Sequence, residues 1–209
     1  HRENPMSEIL EMHPARIKPR DIARIVETLR HGGVVIAPSD SGYALLCQLD
    51  DKSAAEKIRH IRELERDHPF TILCADLTDL ARYARVDNVQ FRLLKTLFPG
   101  AYTCILPASR EVPRRVQNDK RKTIGIRVPD HPVLQAVLAE HGEALMGVSL
   151  FDSDAYDADI HELPAVVTGQ VALIVDVGDL PLRPTTVLDL TEMPPLLLRQ
   201  GAGDVTGIV

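Results

Sequence analysis

Ile22, Ile25, Val26 and Leu29 recur at the three- and four-residue spacing of one helical face, and Gly32-Gly33 supplies a left-handed stop behind them. The apolar run that follows, Val34-Val35-Ile36-Ala37, has no polar alternation and reads as a buried strand. It ends at Pro38 and opens into Ser39-Asp40-Ser41-Gly42. Ser53-Ala54-Ala55-Glu56 reads as a capping box ahead of the apolar face Ile58, Ile61 and Leu64. Residues 70–74 read as a strand, 77–83 as a short helix, and 89–95 as a helix ended by Pro99-Gly100. Asp130 is the expected cap of a helix with the face Val133, Leu134, Val137 and Leu138, closed by Gly142. Further strands are expected over 101–106, 123–128, 145–150, 171–175, 186–190 and 196–198.

This alternation predicts an α/β fold: a single-domain, twisted, mixed β-sheet with flanking helices, its strand order left open. At 209 residues the chain suits one domain, and no internal repeat or Pro/Gly linker divides it. His1 to Pro5, ahead of Met6-Ser7, read as a leftover of an expression vector, which assigns the domain to 6–209. With 44% apolar and 26% charged residues the composition is that of an ordinary globular protein. No stretch approaches the ~18 apolar residues of a membrane span, and no secretory signal pattern begins the chain, so a cytoplasmic location is expected.

Cys47, Cys74 and Cys104 are odd in number and lie far apart in apolar runs. They read as buried thiols in a reducing compartment, not as a disulfide framework. The eight histidines show no ligand spacing, and no protein-held metal is expected. Asp152, Asp154, Asp157, Asp159 and Glu162 read as an acidic loop that covers a pocket.

Polar clusters stand at strand ends: Ser39-Asp40-Ser41, Lys120-Arg121-Lys122-Thr123 with Arg127, Val148-Ser149, Thr185-Thr186 and Arg199-Gln200-Gly201. Pro-Ser-Asp-Ser-Gly is also turn chemistry, since Asp and Ser bond back to the backbone. If the clusters converge, hydroxyl donors flanked by permanent cations suit a ligand carrying phosphate or carboxylate. Between 110 and 127 stand Arg110, Arg114, Arg115, Lys120, Arg121, Lys122 and Arg127 against Glu111 and Asp119, an excess of +5 in a chain of net charge −6. Such asymmetry suits a phosphate pocket or a surface for nucleic-acid backbone. Four Tyr, four Phe and no Trp leave little material for base stacking, which points away from single strands. No serine lies in a Gly-x-Ser-x-Gly elbow, so catalysis would rest on positioning and charge.

The segments 32–45 (Gly-Gly-x-x-x-x-Pro-Ser-Asp-Ser-Gly-Tyr-Ala-Leu), Pro99-Gly100-Ala101-Tyr102-Thr103, 123–132 (Thr-Ile-Gly-Ile-Arg-Val-Pro-Asp-His-Pro) and Pro184-Thr185-Thr186-Val187 together resemble the YrdC/YciO family, the threonylcarbamoyl-AMP synthase family. The likeness spans about 19–204 and is nearest the YciO branch, including Lys-Arg-Lys-Thr-Ile-Gly at 120–125. It implies a concave basic groove that binds ATP and L-threonine. The implied reaction joins threonine, bicarbonate and ATP into threonylcarbamoyl-AMP, releasing pyrophosphate, with Mg²⁺ arriving on ATP. The product serves the threonylcarbamoyladenosine modification of tRNA.

The resemblance places Ser39, Asp40, Ser41 and Tyr43 on the family's Thr-Asp-Thr-x-Tyr loop and Ser149 on the serine of Thr-Ser-Ala-Asn. Thr185 and Arg199 fall on its Pro-Ser-Thr and C-terminal Arg-x-Gly positions, and Lys122, Thr123 and Arg127 on the strand lining the groove. Arg62-Glu63-Leu64 stands where the family has Lys-x-Arg, which keeps one cation in changed form, and Phe151 stands in place of an asparagine. Three readings stay open: an enzyme of the synthase type, a binding protein of the same fold for double-stranded RNA or tRNA through Arg110, Arg114, Arg115, Lys120 and Arg121, and a related carbamoyl or adenylyl transfer on another amino acid.

Overall fold

The structure is a computed structural model that describes residues 7–151 and 159–209. Residues 1–5 and the carboxylates Asp152, Asp154 and Asp157 of the expected acidic loop lie outside the described residues. In chain order the strands are β1 (Glu8–Glu11), β2 (Val35–Ser39), β3 (Gly42–Gln48), β4 (Thr71–Leu73), β5 (Tyr102–Pro107), β6 (Thr123–Arg127), β7 (Leu145–Ser149), β8 (Leu173–Asp176), β9 (Thr186–Asp189) and β10 (Leu196–Arg199). The helices are α1 (Pro19–Arg30), α2 (Lys52–Arg62), α3 (Leu77–Tyr83), α4 (Asn88–Leu97), α5 (Pro132–His141) and the single turn α6 (Ala165–Thr168).

All ten strands described form one sheet, ordered β1-β8-β2-β3-β7-β4-β6-β5-β9-β10, with parallel and antiparallel pairs mixed. The unbroken apolar run at β2 follows from its central place, because both faces of that strand are covered. Val35 and Ala37 pack with Ala44 and Leu46 of β3 against Ile25, Leu29, Leu134 and Leu138 of α1 and α5. Val34 and Ile36 pack with Leu45 and Cys47 against Ala54, Ile58 and Ile61 of α2 on the opposite face. A third cluster joins α3 and α4 to Cys104, Leu106, Ile124 and Ile126 of β5 and β6. Its β6 members alternate with Thr123, Gly125 and Arg127, so β6 turns a polar, narrow face to the other side of the sheet.

The helix starts differ from the pattern reading at two places. Asp51, not Ser53, caps α2, its side chain accepting from the Ala54 N–H at 2.9 Å. His131, not Asp130, caps α5, with Pro132 at the first helical position. Asp51 accepts from the Ala54 N–H and His131, in extended backbone, accepts from the Val133 N–H, so each helix is capped by the residue whose side chain reaches the first turn. The α4 capping box is complete, Asp87 accepting from Gln90 N while Gln90 reaches back to Asp87 N, both at 2.8 Å. Strands β1 and β3 were not separated out by the pattern: β1 is a short, mostly exposed edge, and β3 continues the 32–45 motif as the return arm of a hairpin.

The three cysteines are free and buried. Burial pushes the Cys47 and Cys104 thiols up to about 12 and raises Cys74 further still, which keeps all three protonated.

His141, the last residue of α5, is buried with neither ring nitrogen hydrogen-bonded to any described residue. Burial lowers its pKa, and Arg30, which donates to the His141 carbonyl at 3.2 Å, adds to the effect against Glu143 and Asp50. The unfolded chain therefore takes up a proton there that the folded chain refuses. Stability conferred by the neutral ring is complete above the ordinary imidazole pKa of about 6.5 and is lost as pH falls below it. The urea-unfolding free energy of the parent is expected to fall from pH 7 to pH 5 more steeply than that of His141→Leu. Equal slopes would place the acid sensitivity elsewhere.

Candidate functional site

Ser39 pairs with Gly42, so β2 and β3 are joined by a two-residue turn with Asp40 and Ser41 at its tip. Gly42 has φ +113°, in the region closed to most side chains, which permits the tight reversal. The Ser39 hydroxyl donates to the Gly42 carbonyl at 2.6 Å and accepts from the Ser41 N–H at 3.1 Å. Having spent its one proton, it also receives the Ser41 hydroxyl at 2.9 Å. These bonds fix the tip and leave the Asp40 carboxylate outside the turn's own network.

That carboxylate holds two partners. Oδ1 accepts from Nη2 of Arg127 in an ion pair, and Oδ2 accepts from the Asp130 N–H at 3.0 Å. The Arg127 side chain is 4% exposed, and its Nε finds no hydrogen-bond partner among the described residues. Burial lowers the guanidinium pKa, and the Asp40 charge and hydrogen bond oppose that shift. A guanidinium stays charged in a protein, so the pair is ionic and Asp40 is the counter-charge that makes burying Arg127 tolerable.

Register alone would keep these residues apart. Val35, Leu46, Gly147, Thr71 and Gly125 form one row across β2, β3, β7, β4 and β6, and from it Ser39 lies toward one end while Arg127 lies toward the other. Four steps of sheet twist at about 20–25° each rotate β6 by roughly 80–100° relative to β2. Twist and curl together bring the two strand ends to one corner.

At this corner lies a cavity of about 410 Å³. Its wall includes Ser39 and Asp40 of the turn, Gly100 and Ala101 before β5, and Asp130 and His131 before α5. Leu180, Pro181, Arg183 and Ala202 complete the wall. Arg183 is tied to the turn through its N–H on the Ser41 carbonyl at 3.0 Å. The cavity thus offers two carboxylates, an imidazole, an exposed arginine and backbone groups, a set suited to a small polar ligand carrying charges of both signs.

The other residues singled out by sequence fall into separate clusters. Arg62, at the end of α2, donates through Nη1 to the Ser149 carbonyl, joining those two at the end of β7. Thr123 is buried on the same sheet face as Gly125 and Arg127, and Lys122 is exposed beside it with φ +56°. Arg199 donates through Nε and Nη2 to the Thr185 carbonyl at 3.0 and 2.7 Å, and Thr185 meets Thr103 hydroxyl to hydroxyl at 2.7 Å. Tyr43 points elsewhere: its hydroxyl donates to the Gly178 carbonyl at 2.6 Å and accepts from Val177 N–H at 3.0 Å, bracing the loop that leads to Leu180.

The basic run divides too. Arg121 pairs with Asp189 at 3.0 Å, Arg115 donates to the Leu49 carbonyl at 3.0 Å, and Arg127 is inside. Arg110, Arg114 and Lys120 are exposed and make no ion pair among the described residues. Sequence reasoning missed Asp130, His131, Arg183 and Thr103 as site residues. All four stood inside or beside quoted motifs, but a helix start, a turn and a strand residue carry no signal of what they face.

Among the described residues no group of three or more His, Cys, Asp or Glu is placed to hold a metal ion, and no helix is long and apolar enough to cross a membrane.

A single mixed sheet flanked by helices, with a cavity lined by acidic and basic residues at one corner, defines an α/β protein. The chain belongs to the Sua5/YciO/YrdC family, described as "Telomere recombination", which residues 27–201 match. It is 46% identical to YciO of Escherichia coli strain K12 over 202 residues, 96% of this chain and 98% of that one. The crystal structure of E. coli YciO superposes with a TM-score of 0.91 at 45% identity, covering 98% of this chain and all of the other (100%). The threonylcarbamoyl-AMP synthase of Vibrio vulnificus strain YJ016 is 28% identical over 188 residues, 87% of this chain and 98% of that one. Sua5 of Pyrococcus abyssi, in complex with L-threonine, superposes with a TM-score of 0.81 at 26% identity over 94% of this chain and 58% of its own.

Two outcomes are expected from the contacts above. Asp40→Ala strands a buried guanidinium and should cost about 3–5 kcal/mol, measured by urea unfolding. Adding Arg127→Met to it should recover part of that loss, because the unpaired charge is removed. A Cβ on Gly201 would come within 2.3 Å of the Pro184 carbonyl and 2.4 Å of the Thr185 carbonyl, backbone atoms that cannot step aside. Gly201→Ala is therefore expected to cost about 1–3 kcal/mol and to loosen Thr185 and Arg199 with it, read as faster amide exchange at Thr186.

Proposed function

We propose that the chain is a threonylcarbamoyl-AMP synthase-type enzyme that takes L-threonine, bicarbonate and ATP with its Mg²⁺. The observation that carries this reading is the Asp40–Arg127 corner: a positively charged group buried beneath the wall of a small cavity, in a chain related to a named synthase and to a threonine-bound Sua5. Threonine presents one ammonium and one carboxylate, which matches a wall bearing Asp40, Asp130 and Arg183. In the proposed reaction the threonine nitrogen takes up bicarbonate as a carbamate, with loss of water. A carbamate oxygen then attacks the α-phosphorus, the bond from it to the bridging oxygen breaks, and pyrophosphate leaves. No protein nucleophile enters this scheme; positioning of the two reactants can supply roughly 7–11 kcal/mol of the barrier. The product would feed threonylcarbamoyladenosine formation in tRNA, in the cytoplasm.

Arg62, Lys122, Thr123, Ser149, Thr185 and Arg199 are proposed to bind the nucleotide, with Ser39, Ser41 and Tyr43 shaping the threonine end. Arg62 does so in place of the family's Lys-x-Arg pair, since Leu64 supplies no second cation.

A second reading is favoured by one observation: Arg110, Arg114 and Lys120 are exposed and unpaired among the described residues, as a surface for double-stranded RNA or tRNA requires.

Purified protein incubated with MgATP, L-threonine and bicarbonate is expected to yield threonylcarbamoyl-AMP by mass spectrometry, beside an active synthase control. No product with the control active would overturn the synthase reading. If the RNA reading holds, Arg114→Glu with Lys120→Glu should weaken duplex RNA binding and reduce the slope of log affinity against log salt by about two. A slope equal to the parent's would exclude that surface.

A further inference from the structure

His131 does two things at once in this fold. As the N-cap of α5, its Nδ1 accepts the Val133 N–H at 3.2 Å. An N–H can only donate, so Nδ1 presents its lone pair and the neutral ring carries its proton on Nε2. That Nε2 makes no hydrogen bond to any described residue, and His131 is part of the cavity wall with Asp40 and Asp130. The segment holding it is fixed from both ends: Gln135 Nε2 donates to the Pro129 carbonyl at 2.6 Å, and the Asp130 N–H is held by Asp40 at 3.0 Å. Adding a second proton would set Nδ1–H against the Val133 N–H, so capping and charging exclude each other. Burial lowers the His131 pKa in the same direction, opposed by Asp40 and Asp130.

We propose that His131 is a specificity-determining positioning residue, a neutral Nε2–H donor aimed at one anionic oxygen of the bound substrate, a phosphate or a carboxylate. The inference rests on the ATP and threonine reading of this cavity. A single donor of fixed tautomer offers direction without adding charge to a wall that already holds Arg183, with Arg127 behind Asp40. It also ties ligand binding to the start of α5, since the same ring serves both.

The variant that separates the two roles is His131→Ser. Serine is a strong N-cap and too short to reach the ligand, so the melting temperature should stay within about 2 °C of the parent. Calorimetric titration with MgATP and, separately, with L-threonine is expected to show about 10-fold weaker binding of one of them. Loss with MgATP assigns the donor to a phosphate oxygen, and loss with threonine assigns it to the carboxylate. His131→Ala should lower both the melting temperature and the affinity. Unchanged affinity for both probes in His131→Ser overturns the inference while leaving the site reading in place. A parent that binds neither probe overturns the site reading and this inference with it. Nitrogen-15 imidazole spectra at pH 7 provide a check free of ligand: a proton on Nδ1 overturns the assignment, and Nε2–H with a bare Nδ1 supports it.

Discussion

The ion pair between Asp40 and Arg127 is the contact on which the site depends. It places a positive charge inside the protein, 4% exposed, and supplies its counter-charge from a hairpin tip four strands away in the sheet. Neither residue is stable there alone. A buried guanidinium without its carboxylate carries an unmet desolvation penalty, and here Nε already lacks a partner among the described residues. The pair therefore demands that the sheet stay coiled, that the turn after β2 keep its geometry, and that the backbone at Asp130 remain within reach of the same carboxylate.

The rest of the structure supplies those conditions by ordinary means. Two helices on one face and a third on the other enclose the central strands, so β2 and β3 are held by packing on both sides and the turn between them is set on a rigid base. Ser39 and Ser41 spend their hydroxyls within the turn. Tyr43 fastens β3 to the segment after β8, which then runs to the far wall of the cavity. On the opposite side, Thr185 and Arg199 lock the end of the chain onto β9, where Gly201 lies against backbone with no room for a side chain. Each wall of the cavity is thus anchored to a different part of one sheet.

The proposed scheme asks for no nucleophile from the protein. The cysteines are buried with thiols held protonated, and the serines nearest the cavity hydrogen-bond within a turn. What the corner offers is fixed charge and fixed donors, the means by which an enzyme orients reactants and stabilises phosphate without forming a covalent intermediate.

Much of this was written in the chain. The spacing of Ile22, Ile25, Val26 and Leu29 gave α1 its buried face, the unbroken run at 34–37 marked a strand covered on both sides, and α3 spans the expected residues 77–83. Periodicity and turn chemistry are local properties, so local reading recovers them. The caps of α2 and α5 were misplaced by one or two residues, because several polar residues near a helix start can serve and the approach of the backbone selects among them. The motifs that mark the family also named Asp40 and Arg127, but as separate members of a groove. That they are partners, that His131 faces the same cavity while Arg121 is spent on Asp189, and that Tyr43 braces a loop were decided by the tertiary structure alone. The physical reason is accumulation: each strand pair adds a small twist set by backbone sterics, and only the sum over five neighbouring strands determines which distant ends meet.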